Sequence, residues 1–487
     1  MDKAFHFAVP SLDWTALLPV SIVAITGIIA LIVEMLRPKH NNNLIVGVSV
    51  VGLVLAAASL IYGMTQPTFA TAADMAVRDS FGTTMQLLLV MASALTVLFS
   101  EAYLRAKRIP FGEFYPLLLW STVGGMIMSS TTNLLVIFLG LEILSISLYV
   151  MAGMSRREEK SEESAIKYFL LGAFASGFLL YGISFVYGAT GSLDLNFVSA
   201  IYQSHDQTAR TMLVFGLALM LIGLGFKTSL VPFHQWTPDV YQGAPTNVAA
   251  FMAAGAKIGA FAALWRVLDA FVDMGAYWIP ALSVIATITM FVGNFAAVVQ
   301  KDVKRILGYS SIANAGYMMV AILAYGKDHR LGHGTLTYFL LSYTLMTLGA
   351  FAVVSLQARN GRESTRLEDL NGMWRRSPLS AVALLIFMAS LIGIPPTAGF
   401  VGKFLIFFDA AKAGLMPLAI VLAINSIIST YYYLAIARAA FVTDSEQTEE
   451  LSVKTPSGVS GVCAVCAVGV FAVVLFYSPL VSFITQK

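Results

Sequence analysis

From about residue 16 onward the chain is a succession of long apolar runs, each cut off by a short cluster of Pro, Gly, Asn or charged residues. A helix crossing a bilayer needs about 20 apolar residues. Runs of that kind lie at 16–35, 44–63, 82–101, 114–130, 132–153, 164–189, 210–230, 245–268, 278–299, 304–324, 333–356, 379–411, 417–441 and 459–483. They predict helices with no alternating strand pattern between them. The seventh run is followed by a short re-entrant piece near Pro238 to Gly243. The twelfth is too long for one straight crossing and is interrupted at Ile394-Pro395-Pro396-Thr397-Ala398-Gly399.

The stretch from Leu221 to Ala262 organises this pattern. Two apolar runs flank Pro232, Phe233, His234, Gln235, Trp236, Thr237, Pro238 and Asp239, and each carries one lysine in its apolar body, Lys227 and Lys257. A helix broken at membrane depth is tolerated only where the freed backbone lines a cavity or the protein interior. A lysine near the bilayer centre costs about 2.5–3.5 kcal/mol on insertion scales, so it marks function by default. Helices 4–8 and 9–13 form two groups of five. Each has an interrupted helix as its fourth member, with Lys227 before Pro232 in one and Lys403 after Pro395-Pro396 in the other. Five is odd, so the second group runs inverted, the arrangement of transporters built from inverted repeats with broken helices. The expectation is an all-α polytopic membrane protein of about 14 transmembrane helices with two inverted five-helix repeats. It divides into an N-terminal three-helix segment (1–110), a first repeat (111–270), a second, inverted repeat (271–442) and a C-terminal helix (443–487).

Composition agrees. Of 487 residues 58% are hydrophobic and 12% charged, against about 25% charged in soluble domains. The N-terminus, MDKAFHFAVPSLDW, has no basic region leading into an apolar core with a cleavage site, so the first run reads as a retained helix. Net charge of +3 singles out no partner.

The distribution of charge says more. Loops and helix ends after odd-numbered helices carry eighteen basic residues, including Arg37 and Lys39, Arg105, Lys107 and Arg108, Lys301, Lys304 and Arg305, and Lys454; those after even-numbered helices carry six. The positive-inside rule then puts odd loops in the cytoplasm and both termini outside. Lys3 and Lys487 sit at the termini, and the longest polar loop, 357–378, reads as a solvated cytoplasmic connection. Four lysines remain inside predicted spans: Lys167, Lys227, Lys257 and Lys403. Glu142 joins them in the fifth helix, and His234 sits in the break of the seventh.

An ammonium group taken out of water gives up its proton more readily, and a nearby carboxylate opposes that. Glu142 and Lys227 are therefore expected to act as a pair whose separation sets the protonation of both, with lysines in series forming a lateral proton path. Competing readings exist. Lys167 follows Glu163 by four residues near a helix end, as an ordinary helix ion pair does. Lys403 can snorkel. His234 either caps broken backbone or relays protons, and Asp239 and Asp409 read as structural. Cys463 and Cys466 form a C-x-x-C pair with no further ligands nearby, so they read as small packing residues and no metal site is expected. Gly223-Leu224-Gly225 has Thr228 where a dinucleotide loop needs glycine, and Gly402-Lys403 has Thr397 and Phe404 where a phosphate loop needs Gly and Ser or Thr. No loop for ATP or NADH is present.

The run GLGFKTSLVPFHQWTPDVYQGAP, with LLVIFLGLEILSISLYVMAG, SAIKYFLLGAFASGFLLYG, KRILGYSSIANAGYMMVA and SLIGIPPTAGFVGKF, closely resembles the antiporter-like membrane subunits of respiratory complex I, the bacterial proton-pumping NADH:quinone oxidoreductase. The resemblance covers nearly the whole chain and is weakest at 1–110. It implies fourteen helices in two inverted repeats and a bacterial inner-membrane location. It implies proton translocation through buried charges, driven by quinone reduction in other subunits. Glu142 matches the family's fifth-helix glutamate, and Lys167, Lys227, Lys257 and Lys403 its lysines on helices six, seven, eight and twelve. His234 falls in its VPFHxW break. The resemblance implies no cofactor on this chain, with NADH, FMN, iron–sulfur clusters and quinone in partner subunits. The partners implied are lipid and other membrane subunits, without nucleic acid. A lysine rather than a glutamate on the twelfth helix, and an end at Lys487 without a long lateral helix, favour one branch of the family. A sodium/proton antiporter subunit of the same fold and a scaffold with idle lysines are the alternatives.

A reporter active only in the cytoplasm, fused after Lys487, is expected to be silent. Activity there would mean an odd number of crossings or a flipped topology.

Overall fold

The computed structural model describes residues 12–36, 42–72, 74–204, 206–359, 361–442 and 455–475. These are almost entirely helical, as an apolar chain in lipid requires, because a helix satisfies its backbone within one segment. A helix occupies each predicted apolar run. Twelve helices among the described residues are long and apolar enough to cross a membrane. Two predicted runs hold shorter apolar helices, Phe114–Ser129 and Pro378–Ile392, and the latter resumes as Ala398–Lys412. Arg37, Lys39 and Lys454, with Lys3 and Lys487, lie outside the described residues, as does 476–483 of the last run.

The structure departs from expectation at the polar segments. A short helix, Phe197–Gln203, and two small antiparallel hairpins lie outside the predicted runs. One hairpin pairs Phe69–Thr71 with Ala76–Arg78, and the other pairs Ala358–Arg359 with Arg362–Glu363. The second belongs to the 357–378 loop, which is not freely solvated: Glu363 is 5% exposed and Leu370 and Met373 are buried. Cys463 and Cys466 are free and buried on one helix, as packing residues are.

Three helices, Thr246–Ala270, Val303–Lys327 and His333–Gln357, are buried over almost their whole length, while the first two and the last of the chain keep most of their surface outward. Close approach is set by glycine. A Cβ on Gly182 would lie 2.6 Å from the Gly216 carbonyl, and one on Gly216 would lie 3.0 Å from the Gly182 carbonyl. The helices Glu159–Thr190 and Gln207–Thr228 therefore cross backbone to backbone, as small residues permit in membranes.

Both predicted interruptions are real. The Gln207–Thr228 helix ends with Ser229 left-handed at φ +66°, and the chain resumes as Trp236–Gly243. The Pro378–Ile392 helix ends with Gly393 at φ +90° before Ala398–Lys412. Each break contains a cis X-Pro bond, Val231–Pro232 and Pro395–Pro396.

Gly182→Val is expected to overpack the crossing by about 1–3 kcal/mol or more and to lower the amount of folded subunit recovered from membranes. Gly177→Ala on the same helix meets nothing within 4 Å and should leave recovery unchanged. Equal recovery of Gly182→Val and the parent would refute the close crossing.

Candidate functional site

The first break places Lys227 in the last turn of its helix, at the negative end of the helix dipole. The freed backbone is accounted for locally. Leu230 N–H donates to the Gly225 carbonyl at 2.8 Å, and the Trp236 indole donates to the Phe226 carbonyl at 2.9 Å. Thr237 donates to Ser229 at 2.9 Å, and Val231 N–H donates to Thr289 on a neighbouring helix at 3.0 Å. The His234 side chain is half-buried and faces the Pro232 backbone within the break, with Nδ1 lacking a hydrogen-bond partner among the described residues.

Lys227 Nζ donates to Ser145 Oγ at 2.8 Å and to the Tyr168 hydroxyl at 2.9 Å. It lies over the Tyr168 ring at 5.1 Å, a contact that favours a cation. Glu142 does not meet it as expected. The carboxylate accepts from Ser176, is half-buried and forms no ion pair with Lys227. A small void lined by Ser145, Tyr149, Ser176 and Lys227 lies beside the pair. Ser145 lies one turn along from Glu142 on the same side of the helix and takes the contact with Lys227 in its place.

Lys257 follows a π-helical turn, Met252–Ala256, an irregularity frequent at functional positions. Its Nζ donates to both the Ser311 carbonyl and Ser311 Oγ at 2.6 Å. Lys403 lies at the second break. Its Nζ donates to the Leu391 and Ile392 carbonyls at 2.8 and 3.0 Å and to Ser426 Oγ at 3.1 Å. It therefore caps the carbonyl end of the preceding half-helix and is buried there rather than snorkelling.

Lys167 differs from the other three. Its side chain is 42% exposed and pairs with Glu163 at 2.5 Å and Asp239 at 3.0 Å. The helix begins at Glu159, five residues before the predicted start, so Lys167 sits in its third turn near the surface. Asp239 also accepts from Arg305 at 2.6 Å, tying the re-entrant piece to two helices. Asp409 accepts from Gly332 N–H at 3.0 Å and Thr335 Oγ1 at 2.6 Å, a structural role at a helix start.

A second charged cluster escaped the sequence reading. Lys107 and Lys304 counted as loop charges, yet both are buried. Glu363, from the 357–378 loop, lies 3.7 Å from Lys107 and 3.6 Å from Lys304, and accepts from Tyr103 at 2.8 Å and from Thr246. Lys107 also pairs with Glu158, and Lys304 donates to the Ala244 carbonyl at 2.7 Å. Burial by itself would push the Glu363 carboxyl up; the Lys304 and Lys107 ammonium groups and the hydrogen bonds from Thr246 and Tyr103 outweigh it and hold the carboxyl below its usual range. The cluster borders a cavity of about 940 Å³ whose walls come from the segments after the predicted fifth, seventh, ninth and eleventh helices, including Arg157, Lys160, Gln242, Lys301, Arg305 and Arg366. Only the excess of charge at odd-numbered segments hinted at it.

These features define a polytopic α-helical membrane protein with two broken helices, each carrying a buried lysine at its break. The family described as NADH:quinone oxidoreductase/Mrp antiporter, transmembrane, matches residues 131–429. NADH-quinone oxidoreductase subunit N of Trichlorobacter lovleyi is 41% identical over 448 residues, 92% of this chain and 91% of that protein. Subunit N 1 of Herpetosiphon aurantiacus is 41% identical over 472 residues, 96% and 95%. A chain of respiratory complex I from Thermus thermophilus superposes with a TM-score of 0.81 at 36% identity, covering 95% of this chain and 98% of that one. A chain of the Mrp complex from Dietzia sp. superposes at 0.83 with 20% identity, covering 97% and 96%, and shares the fold. The chain belongs to the antiporter-like membrane subunits of NADH:quinone oxidoreductase, in the subunit N branch.

Glu363→Gln leaves Lys304 facing the Ala244 carbonyl without a carboxylate. Losing one partner of a buried pair costs about 3–5 kcal/mol, so the 357–378 loop should be cleaved faster by protease at pH 7. The folded-state carboxyl lies below its ordinary 4.5, so its stabilisation is present above that value and is lost as pH falls through the folded value. Unchanged protection in the variant would mean that Glu363 does not pin the loop.

Proposed function

We propose that this chain is a membrane-arm subunit of NADH:quinone oxidoreductase that carries protons through Lys227, Lys257 and Lys403, coupled to quinone reduction in other subunits. The observation that carries the reading is the company these lysines keep. All three are buried, and all three are held by hydroxyls, carbonyls and aromatic faces rather than by carboxylates. A proton can leave and return without breaking an ion pair. A scaffold with idle lysines would instead be expected to neutralise each with a carboxylate, as the Lys107, Lys304 and Glu363 cluster does.

Glu142 acts at the flank of the path, where its distance from Lys227 sets how strongly it holds the lysine's charge. Lys167 and His234 are the outer members at the first break, Lys167 through Asp239. The chain crosses the membrane fourteen times, the segments around the large cavity face the cytoplasm and both termini face outside, in keeping with the charge asymmetry. The units are 1–110, 111–270, 271–442 and 443–487, the middle two being inverted repeats. The left-handed residue that ends the helix at each break, Ser229 and Gly393, supports that division. NADH, FMN, iron–sulfur clusters and quinone belong to partner subunits. The antiporter reading has fold likeness behind it, while the higher sequence identity lies with subunit N.

Proton pumping in vesicles containing Lys257→Arg, Lys257→Ala and Lys403→Arg at matched complex content tests the path. Arg stays protonated, with a pKa above about 12. A membrane potential acts with roughly 2.3 kcal/mol per charge per 100 mV, so proton steps against it must be nearly isoenergetic. Both Lys257 variants should therefore block pumping, and Lys257→Arg more completely than Lys403→Arg, whose guanidinium can still cap the half-helix. Full pumping by Lys257→Arg would remove Lys257 from the path.

A further inference from the structure

The cavity beside the Glu363 cluster is lined by none of Lys227, Lys257 and Lys403, and its volume of about 940 Å³ suits a bound molecule. Small-molecule sites run to about 300–1,000 Å³ and are ordinarily lined by apolar and aromatic side chains. This one is not. Its walls come from the start of the helix Glu159–Thr190, the start of the helix Val303–Lys327, the 357–378 loop and the end of the re-entrant piece at Gln242 and Gly243. Every lining residue except Gly243 has a polar or charged side chain. An acyl chain or a nucleobase finds no surface there, which restricts an occupant to a small, strongly charged group.

Most of the lining charges are already engaged. Glu363 is matched by Lys304 and Lys107, and Glu158 by Lys107. Asp302 accepts from Thr365 Oγ1 at 2.7 Å and from Arg305 N–H at 3.0 Å. The Arg305 guanidinium is held by Asp239, Gln242 and Gln300. Four cations remain, Arg157, Lys160, Lys301 and Arg366, all exposed and none in an ion pair among the described residues. Two carboxylates in the same condition stand against them, Glu159 and Glu368. The excess is positive and divided, with Arg157 and Lys160 on one wall and Lys301 and Arg366 on others. The helix Glu159–Thr190 adds to it. Its N-cap residue, Glu158, makes no side-chain cap bond, so the positive end of a 32-residue helix opens onto the cavity. Glu159 and Glu162 in the first turn offset only part of that field.

We propose that this cavity binds an anion bearing two phosphate groups, one held by Arg157, Lys160 and the helix N-terminus, the other by Lys301 and Arg366. Two groups are needed because the free cations are divided between walls and a single phosphate is far too small for the space. Guanidinium forks take phosphate oxygens in pairs, and the ammonium groups supply compact charge. Bound there, the anion ties the helix Glu159–Thr190 to the helix Val303–Lys327 and to the 357–378 loop. Free inorganic diphosphate and the two-phosphate headgroup of cardiolipin share this chemistry. The site is independent of the lysine path and stands whether or not protons follow it.

The test uses the intact complex, with inorganic diphosphate as the probe and amide hydrogen exchange of residues 155–163 and 361–370 as the readout. Diphosphate at about ten times its dissociation constant should slow exchange about tenfold in both segments. Raised salt should weaken the effect, because the contacts are between exposed charges. The Arg157→Gln, Lys160→Gln, Arg366→Gln triple variant should lose the protection. Arg330→Gln, an exposed cation that does not line the cavity, should keep it. The same exchange is then read without diphosphate in vesicles of phosphatidylcholine with and without cardiolipin. Protection given by cardiolipin assigns the site to a lipid headgroup, and protection that needs free diphosphate assigns it to a soluble anion. Protection by neither overturns the proposal. Protection that persists in the triple variant, or that is lost equally in Arg330→Gln, overturns it as well. Should the triple variant fail to assemble, Arg366→Gln decides, and a parent-level affinity for diphosphate in it overturns the site.

Discussion

The constraint that shapes this protein is that lipid offers no hydrogen bonds, so each backbone group freed by a helix break must be satisfied from within. Two helices are broken, and the two breaks are closed differently. At the first, the Trp236 indole and the Thr237 hydroxyl reach back across the gap. At the second, the Lys403 ammonium binds the two carbonyls that end the half-helix, and Ser390 accepts from Gly399 N–H. A lysine is thus part of the closure in one case and merely adjacent in the other. The same irregular backbone that is costly in lipid provides polar atoms at depth, where an ammonium group needs them.

That explains why the buried lysines tolerate the absence of carboxylates. Each replaces its water shell with two or three fixed oxygens and an aromatic face, an arrangement that solvates the cation without neutralising it. Glu363 does the opposite. It cancels Lys107 and Lys304 at the mouth of the large cavity and joins the loop to the helix that carries Lys257 through Thr246. Neutralised charges build the frame, and charges solvated by neutral groups line the interior between the breaks.

Much of this was legible in the sequence because membrane insertion reads local composition. A run of about 20 apolar residues becomes a helix whatever surrounds it, so the helices appeared where the runs lay, with differences of a few residues at ends that polar residues extend, such as Glu159 to Glu163. Lys227, Lys257 and Lys403 stood out because each ends a long uncharged stretch: nothing charged lies between Arg210 and Lys227, between Asp239 and Lys257, or between Arg376 and Lys403. The two breaks stood out because proline cannot continue the hydrogen-bond ladder.

The sequence by itself determined the helical class, the positions of the breaks and the lysines of the apolar runs beside them, Lys227, Lys257 and Lys403, since each follows from residues within one segment. Tertiary structure alone decided which groups meet. Glu142 and Ser145 lie one turn apart on one helix face, yet Ser145 and Tyr168 fill the contact with Lys227 that charge would have favoured, because the level at which helices meet is set by packing over many residues. Lys167 is exposed, while Lys107 and Lys304 are buried, because depth depends on where a helix ends relative to its neighbours. Glu363 lies 256 residues from Lys107 in sequence and 59 from Lys304. Only packing brings such groups within reach, and no local pattern in the chain records it.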